Sequence, residues 1–167
     1  MLITPQELEI HRIVVSNSFA PGELDYRGAE FRQLVPLKAN ATAELVGSEI
    51  RIRGHLNTRL GADCDRCLGP VEIGVNRDFD LFYRPMRSLT RQEEIEISRD
   101  ELEIGFYAGE GVELNDALAE QVILSVPMKV VCTPDCQGLC PVCGVNLNKE
   151  ACHCPKPPVG SPFASLK

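Results

Sequence analysis

The sequence predicts an α+β protein, mainly an antiparallel β-sheet or barrel with one main helix and a cysteine-rich module toward its C-terminus. Three observations carry this. Residues 50–60 alternate apolar and polar side chains, one amphipathic segment precedes Pro127, and six of the eight cysteines fall within residues 132–154. The 167 residues accordingly divide into a β-rich domain at 1–128 that ends in a helix, a cysteine-rich module at 129–155 and a Pro-rich tail at 156–167. That length allows one domain of ordinary size and a small appendage.

Residues 9–15 are the first expected strand. Residues 41–62 follow, with a turn at Gly47-Ser48. From Ile50 the even positions Ile50, Ile52, Gly54, Leu56, Thr58 and Leu60 form one strand face, which is expected to meet the core. The odd positions Arg51, Arg53, His55, Asn57 and Arg59 form the other face. Residues 71–83 alternate less cleanly after Gly69-Pro70 and complete an expected antiparallel meander. A helix is expected at 115–125, with Asn115 as N-cap, Asp116 complementing the dipole, and Leu118, Val122, Ile123 and Val126 along one face. Pro127 ends it. In the tail, Phe163 and Leu166 are candidate anchors on an extended segment.

Charge is unevenly distributed. Residues 93–120 hold ten acids against Arg99 alone, a local charge of −9 in a chain of net charge −7. Such a stretch is a solvated face or a surface that meets a basic protein. The segment MLITPQELEI lacks the basic and apolar regions of a secretory leader, so the mature chain is expected to start there. The apolar stretch 122–131 is interrupted by Ser125, Pro127 and Lys129 and is too short to cross a bilayer, so no membrane anchor is expected. These features point to the cytoplasm, where thiols stay reduced and clustered cysteines bind metal rather than form disulfides.

The cysteines run Cys132-x3-Cys136-x3-Cys140-x2-Cys143-x8-Cys152-x-Cys154. In Cys140-Pro141-Val142-Cys143-Gly144 a tight turn aims two thiolates at one ion, and the glycine lets backbone approach sulfur. Zinc takes four thiolates in a tetrahedron, so six candidates exceed one site by two. The first choice of ligands is Cys140, Cys143, Cys152 and Cys154; Cys132 and Cys136 compete for the same ion. His153 is a weaker alternative donor. Four thiolates leave no open position for water, so this is a C-terminal zinc-binding module with a structural ion.

Cys64-Asp65-Arg66-Cys67 lies far upstream and has three readings: a redox pair, half of a second metal site, or two reduced cysteines at a strand end. A redox pair needs the first cysteine at a helix N-terminus, and Gly69-Pro70 excludes an ordinary helix there. The chain has no phosphate loop, no H-E-x-x-H and no G-x-S-x-G, and its histidines His11, His55 and His153 are scattered. No catalytic residue and no small-molecule substrate are expected.

Several strings resemble the YceD family of bacterial and plastid proteins. They are Gly54-His55-Leu56, Cys64-Asp65-Arg66-Cys67-Leu68, the stretch Leu118 to Pro127, Cys132, the stretch Cys136 to Asn148, and Pro162 to Lys167. The C-x-G-L-C-P-x-C-G-x-N-L-N string is the most specific of these. The resemblance implies a non-catalytic cytoplasmic factor in ribosome biogenesis that supports accumulation or processing of large-subunit ribosomal RNA. It also implies that the upstream cysteine pair and the downstream cluster are separate devices. Partners would be ribosomal RNA, a ribosomal protein of the large subunit, or both. An acidic chain lacks a broad basic footprint, so RNA contact is assigned to Arg51, Arg53, His55, Arg59 and Arg66, and a basic ribosomal protein to the acidic stretch. A thiol-redox or zinc-responsive regulator using Cys64 and Cys67 is the alternative function.

Overall fold

A computed structural model describes residues 1–86 and 104–155. The element order is β1 (Leu2–Ile3), α1 (Pro5–Ile10), β2 (Ile13–Phe19), β3 (Arg32–Gln33), β4 (Leu37–Val46), β5 (Glu49–Asp63), β6 (Pro70–Pro85), β7 (Ile104–Tyr107), β8 (Val112–Glu113) and α2 (Leu114–Ile123). The chain divides into two compact units. One holds residues 1–62 and 72–128; the other holds 63–71 and 129–167. The 63–71 segment, assigned to the β-rich domain from sequence, thus groups with the cysteine-rich module.

In the first unit the strands follow the order β2-β4-β5-β6-β7, with β3 paired to β5 off this path. The sheet is an open path among the described residues, which corrects the barrel half of the expectation. It is also mixed rather than wholly antiparallel. β2 and β4 are antiparallel with Val15 opposite Ala41, and β4 and β5 are antiparallel with Ala41 opposite Gly54, whereas β6 and β7 are parallel with Phe82 opposite Ile104. Gly47, at φ 63°, adopts the left-handed conformation that the two-residue β4–β5 connection requires without a Cβ penalty.

The alternation along β5 is realised. Ile50, Ile52, Leu56 and Leu60 are fully buried and join a core with Leu37, Ala39, Phe79, Leu118 and Val122. Each such aliphatic side chain contributes roughly 1.5–3 kcal/mol by leaving water. Gly54 takes its turn on that face because nothing larger fits. A Cβ there would meet the backbone of Asn40, the Cα of Ala41 at 2.8 Å and the Phe79 ring at 2.9 Å.

Two expected elements shift. Residues 9–15 are not one strand: Glu9 and Ile10 close α1, and β2 begins at Ile13. Thr4 and Glu7 form a capping box around Pro5, so the first turn of α1 is specified locally. The main helix begins at Leu114, not after Asn115, and its N-cap is Glu113. β1 pairs with β8, the Leu114 N–H donates to the Met1 carbonyl, and the fully packed Leu114 side chain starts the helix as the strand ends. Its last turn closes with Ser125 Oγ donating to the Gln121 carbonyl at 2.6 Å, ahead of Pro127. Among the described residues no helix is long and apolar enough to cross a membrane.

Two expectations lie wholly or partly outside the described residues: the Pro-rich tail with Phe163 and Leu166, and the acidic stretch between 93 and 103. Three of its described acids are paired. Glu113 meets the N-terminal amine, and Asp116 and Glu120 both face Arg27.

Candidate metal centres

The second unit contains two turns built alike. In the first, β5 ends and the Leu68 N–H donates to the Cys64 carbonyl at 2.8 Å while the Cys64 N–H donates to the Gly69 carbonyl at 2.8 Å. In the other, the Gly144 N–H donates to the Cys140 carbonyl at 2.9 Å while the Cys140 N–H donates to the Val145 carbonyl at 2.8 Å. Both turns place a left-handed residue directly after the second cysteine, Leu68 at φ 55° and Gly144 at φ 74°. A leucine in this conformation is uncommon, and Leu68 is 66% exposed, so packing of its side chain does not explain it. The turn geometry does: each brings two sulfurs to one side.

All eight cysteines are free thiols, gathered into two groups of four. Cys64, Cys67, Cys132 and Cys136 form one, and Cys140, Cys143, Cys152 and Cys154 form the other, each with all sulfurs within 4.8 Å of one another. Cys132 and Cys136, which compete for the downstream ion on spacing alone, therefore stand with Cys64 and Cys67. Hydrogen bonds bring them there. Asp65 exchanges two with Val130, its N–H donating at 2.9 Å and its carboxylate accepting at 2.7 Å. The Arg66 carbonyl accepts from the Leu139 N–H at 3.0 Å, and its guanidinium donates to the carbonyls of Pro134 and Cys136. Gly138, at φ 75°, permits the approach, since a Cβ would lie 2.9 Å from the Arg66 carbonyl oxygen.

Both groups can hold a metal ion. Bonded sulfurs in a disulfide lie about 2.05 Å apart. Here Cys64 and Cys136 sulfurs are 3.9 Å apart and those of Cys67 and Cys132 3.7 Å. In the downstream group Cys143 and Cys152 are at 3.5 Å, and Cys152 and Cys140 at 3.3 Å. Crowding splits the acidities. Burial raises the Cys64 thiol, yet N–H groups of Cys132, Arg66 and Cys67 outweigh it and bring the thiol to about 6. The N–H groups of Cys143 and Val142 bring Cys140 to about 6 as well. The Cys136 sulfur and burial push Cys132 up to about 12, and the Cys152 and Cys143 sulfurs push Cys154 up to about 12. Four adjacent sulfurs cannot all ionise without a cation among them.

The basic stripe is brought together on β5, but each member has an acidic neighbour. Arg51 grips Asp80 with two hydrogen bonds of 2.8 and 2.6 Å and also faces Glu44. Arg53 faces Glu44 at 3.9 Å, His55 Nδ1 meets Asp78 at 2.7 Å, and Arg59 faces Glu72 at 3.5 Å. The odd positions of β5 thus form a charged ladder with the strands beside it. Arg66 belongs to the other unit.

Spacing alone misses the pairing of Cys64 and Cys67 with Cys132 and Cys136. One signal was present: Cys64-x2-Cys67 and Cys140-x2-Cys143 are each followed within two residues by glycine, as two copies of one turn would be.

Fold and site together define a small α+β protein with a mixed sheet and a cysteine-rich unit that presents two four-thiol clusters. Residues 52–167 match the family described as large ribosomal RNA subunit accumulation protein YceD, and the chain belongs to this YceD family. It is 31% identical over 117 residues to uncharacterised proteins of Mycobacterium tuberculosis and Mycobacterium bovis, a stretch covering 70% of this chain and 54% of theirs. It is 25% identical over 158 residues to a Zea mays protein named large ribosomal RNA subunit accumulation protein YCED homolog 1, chloroplastic, covering 81% of this chain and 53% of that one. The chain spans about half the length of these curated relatives. No solved structure matches it.

Proposed function

We propose that this protein is a non-catalytic cytoplasmic factor that supports accumulation or processing of large-subunit ribosomal RNA. In this reading it binds that RNA, a ribosomal protein of the large subunit, or both, and Cys140, Cys143, Cys152 and Cys154 hold a structural zinc. The observation that carries it is the family match over residues 52–167, which includes all eight cysteines. Eight free thiols suit a reducing compartment. A net charge of −7 and a stripe already matched with carboxylates favour contact with a basic protein over broad phosphate binding. Arg53 and Arg59, at 50% and 60% exposed side-chain surface, remain the stripe positions best placed for a local RNA contact.

The alternative, a thiol-redox or zinc-responsive regulator acting through Cys64 and Cys67, has less support. A reactive thiol must be reached, and both side chains are buried in the strand-to-strand turn.

The test is depletion of the protein from its own cells, with profiling of both ribosomal RNAs, and low-salt purification of the tagged full chain. Selective loss of mature large-subunit RNA, together with recovery of its precursor or of large-subunit proteins, supports the proposal. Balanced ribosomal RNA after depletion, with no ribosomal material recovered after mild crosslinking, overturns it.

A further inference from the structure

We propose that Cys64, Cys67, Cys132 and Cys136 form a second four-thiolate zinc site, so that the chain carries two zinc ions. The count of two rests on the reading of the Cys140 group as a zinc site; the upstream site itself does not.

Distance is the first argument. Zinc–sulfur bonds of about 2.3 Å in a regular tetrahedron put neighbouring sulfurs about 3.8 Å apart. The upstream pairs, at 3.9 and 3.7 Å, bracket that value, more closely than the downstream pairs do. Both distances are too long for disulfides and match two edges of a tetrahedron around a small cation, and all four sulfurs lie within 4.8 Å of one another.

The second argument is what points at the sulfurs. The Cys132 N–H donates to Cys64 Sγ at 3.3 Å, and the Asn148 amide donates to Cys136 Sγ at 3.3 Å. The Arg66 guanidinium sits on the carbonyls of Pro134 and Cys136. Four thiolates around a divalent zinc carry a net charge of −2, and N–H donors with one nearby cation are the surroundings such a centre needs. On binding, zinc accepts four sulfur lone pairs and the displaced thiol protons pass to solvent.

The third is the duplicated backbone. The Cys64 turn repeats the hydrogen bonds of the Cys140 turn and accepts a leucine at positive φ to do so. The conformation keeps Cys64 and Cys67 in the same turn geometry as Cys140 and Cys143. Among the described residues the cluster's apolar shell is Val71, Val131 and Leu139, too little to hold these loops together by burial alone. Sulfur-only tetrahedra select zinc or iron; the assignment is to zinc.

Metal analysis of the purified full chain tests this, combined with zinc-edge X-ray absorption and mapping of alkylated cysteines by mass. Two zincs per chain, each with four sulfurs at about 2.3 Å, are expected. Because the chain has eight cysteines, two such shells use them all. Cys64→Ser with Cys67→Ser should then carry one zinc, as should Cys152→Ser with Cys154→Ser. One zinc per wild-type chain, with Cys64, Cys67, Cys132 and Cys136 alkylated and the other four protected, overturns the upstream site and leaves the downstream reading intact. The reverse protection pattern sinks the downstream reading and supports the upstream site. Nitrogen or oxygen in the upstream shell, or iron there, overturns the assignment, and the wild-type measurements decide even where a variant does not fold.

Discussion

Asn148 donates its side-chain amide to Cys136 Sγ at 3.3 Å, while its carbonyl oxygen accepts from the Gln137 N–H at 2.8 Å. A residue from beyond the Cys140 turn therefore orients a sulfur of the Cys64 group. Groups of this kind typically account for 10–100-fold in metal affinity. Asn148→Ala should weaken zinc at the Cys64 group by about that factor, read by competition with a chelator of known affinity, and leave the Cys140 group near its wild-type value.

Metal removal should act on one unit of the chain. The first unit has an apolar core of its own, whereas the described residues of the second bury little besides sulfur. After chelation in reducing buffer, hydrogen exchange should quicken at the Leu68, Cys140 and Gly144 amides. The paired amides of β4 and β5 should keep their protection. Loss of protection in β4 and β5 at the same rate would show that the two units fold as one.

Gly54→Ala should be destabilising by at least about 1–3 kcal/mol, since overpacking forces backbone or ring to move. Its Cβ would press on the Asn40 backbone, which cannot swing aside as a side chain would, and on the Phe79 ring. A urea melt should show the drop, and pairing the change with Phe79→Leu should recover part of it by relieving one of the three clashes. Full stability in Gly54→Ala would mean that β4 and β5 are spaced differently.

The Arg51–Asp80 pair has a defined pH signature. Hydrogen bonding from Arg51 holds the Asp80 carboxyl below its ordinary value of 3.8. A depressed carboxyl stabilises the fold above its unfolded pKa, and the contribution disappears as pH falls through the lowered folded value. Asp80 is 45% exposed, so solvent screening holds the effect to about 1 kcal/mol or less. Asp80→Asn should therefore lower the urea midpoint at pH 7 and match the wild type once both are acidified below that value. An equal deficit at both pH values would exclude the charge as its source.

How far the chain could be read from sequence depended on the range of each interaction. Ile50 to Leu60 were legible because strand alternation is written in neighbouring residues. The α1 helix was equally local, signalled by Thr4-Pro5-Gln6-Glu7, but the alternation of Leu8, Glu9 and Ile10 just ahead of Ile13 also fits a strand and obscured it. The start of α2 depended on Met1, more than a hundred residues away, so Asn115 looked the better cap. Parallel pairing of β6 with β7 had no local mark. The cysteine groups divide the same way: the close spacing of Cys140 and Cys143 announced a turn, but long-range hydrogen bonds such as Asp65–Val130 and Arg66–Leu139 bring Cys132 and Cys136 to Cys64 and Cys67. The acidic partners of the β5 arginines lie on β4 and β6, where a reading along one strand does not look.

The Asp65–Val130 hydrogen bonds also set a timetable for synthesis. A nascent chain emerges from its N-terminus, so the Cys64–Cys67 turn leaves the ribosome long before residues 130–139 exist. Until they arrive, the Asp65 N–H and the Arg66 carbonyl have only water to bond, and two sulfurs wait without their partners. The second stretch of the first unit, residues 72–128, is translated during that interval, from β6 through α2. The upstream cysteines can therefore be enclosed only at the end, and a chain halted before Val130 leaves them open to solvent, oxidants and passing metals.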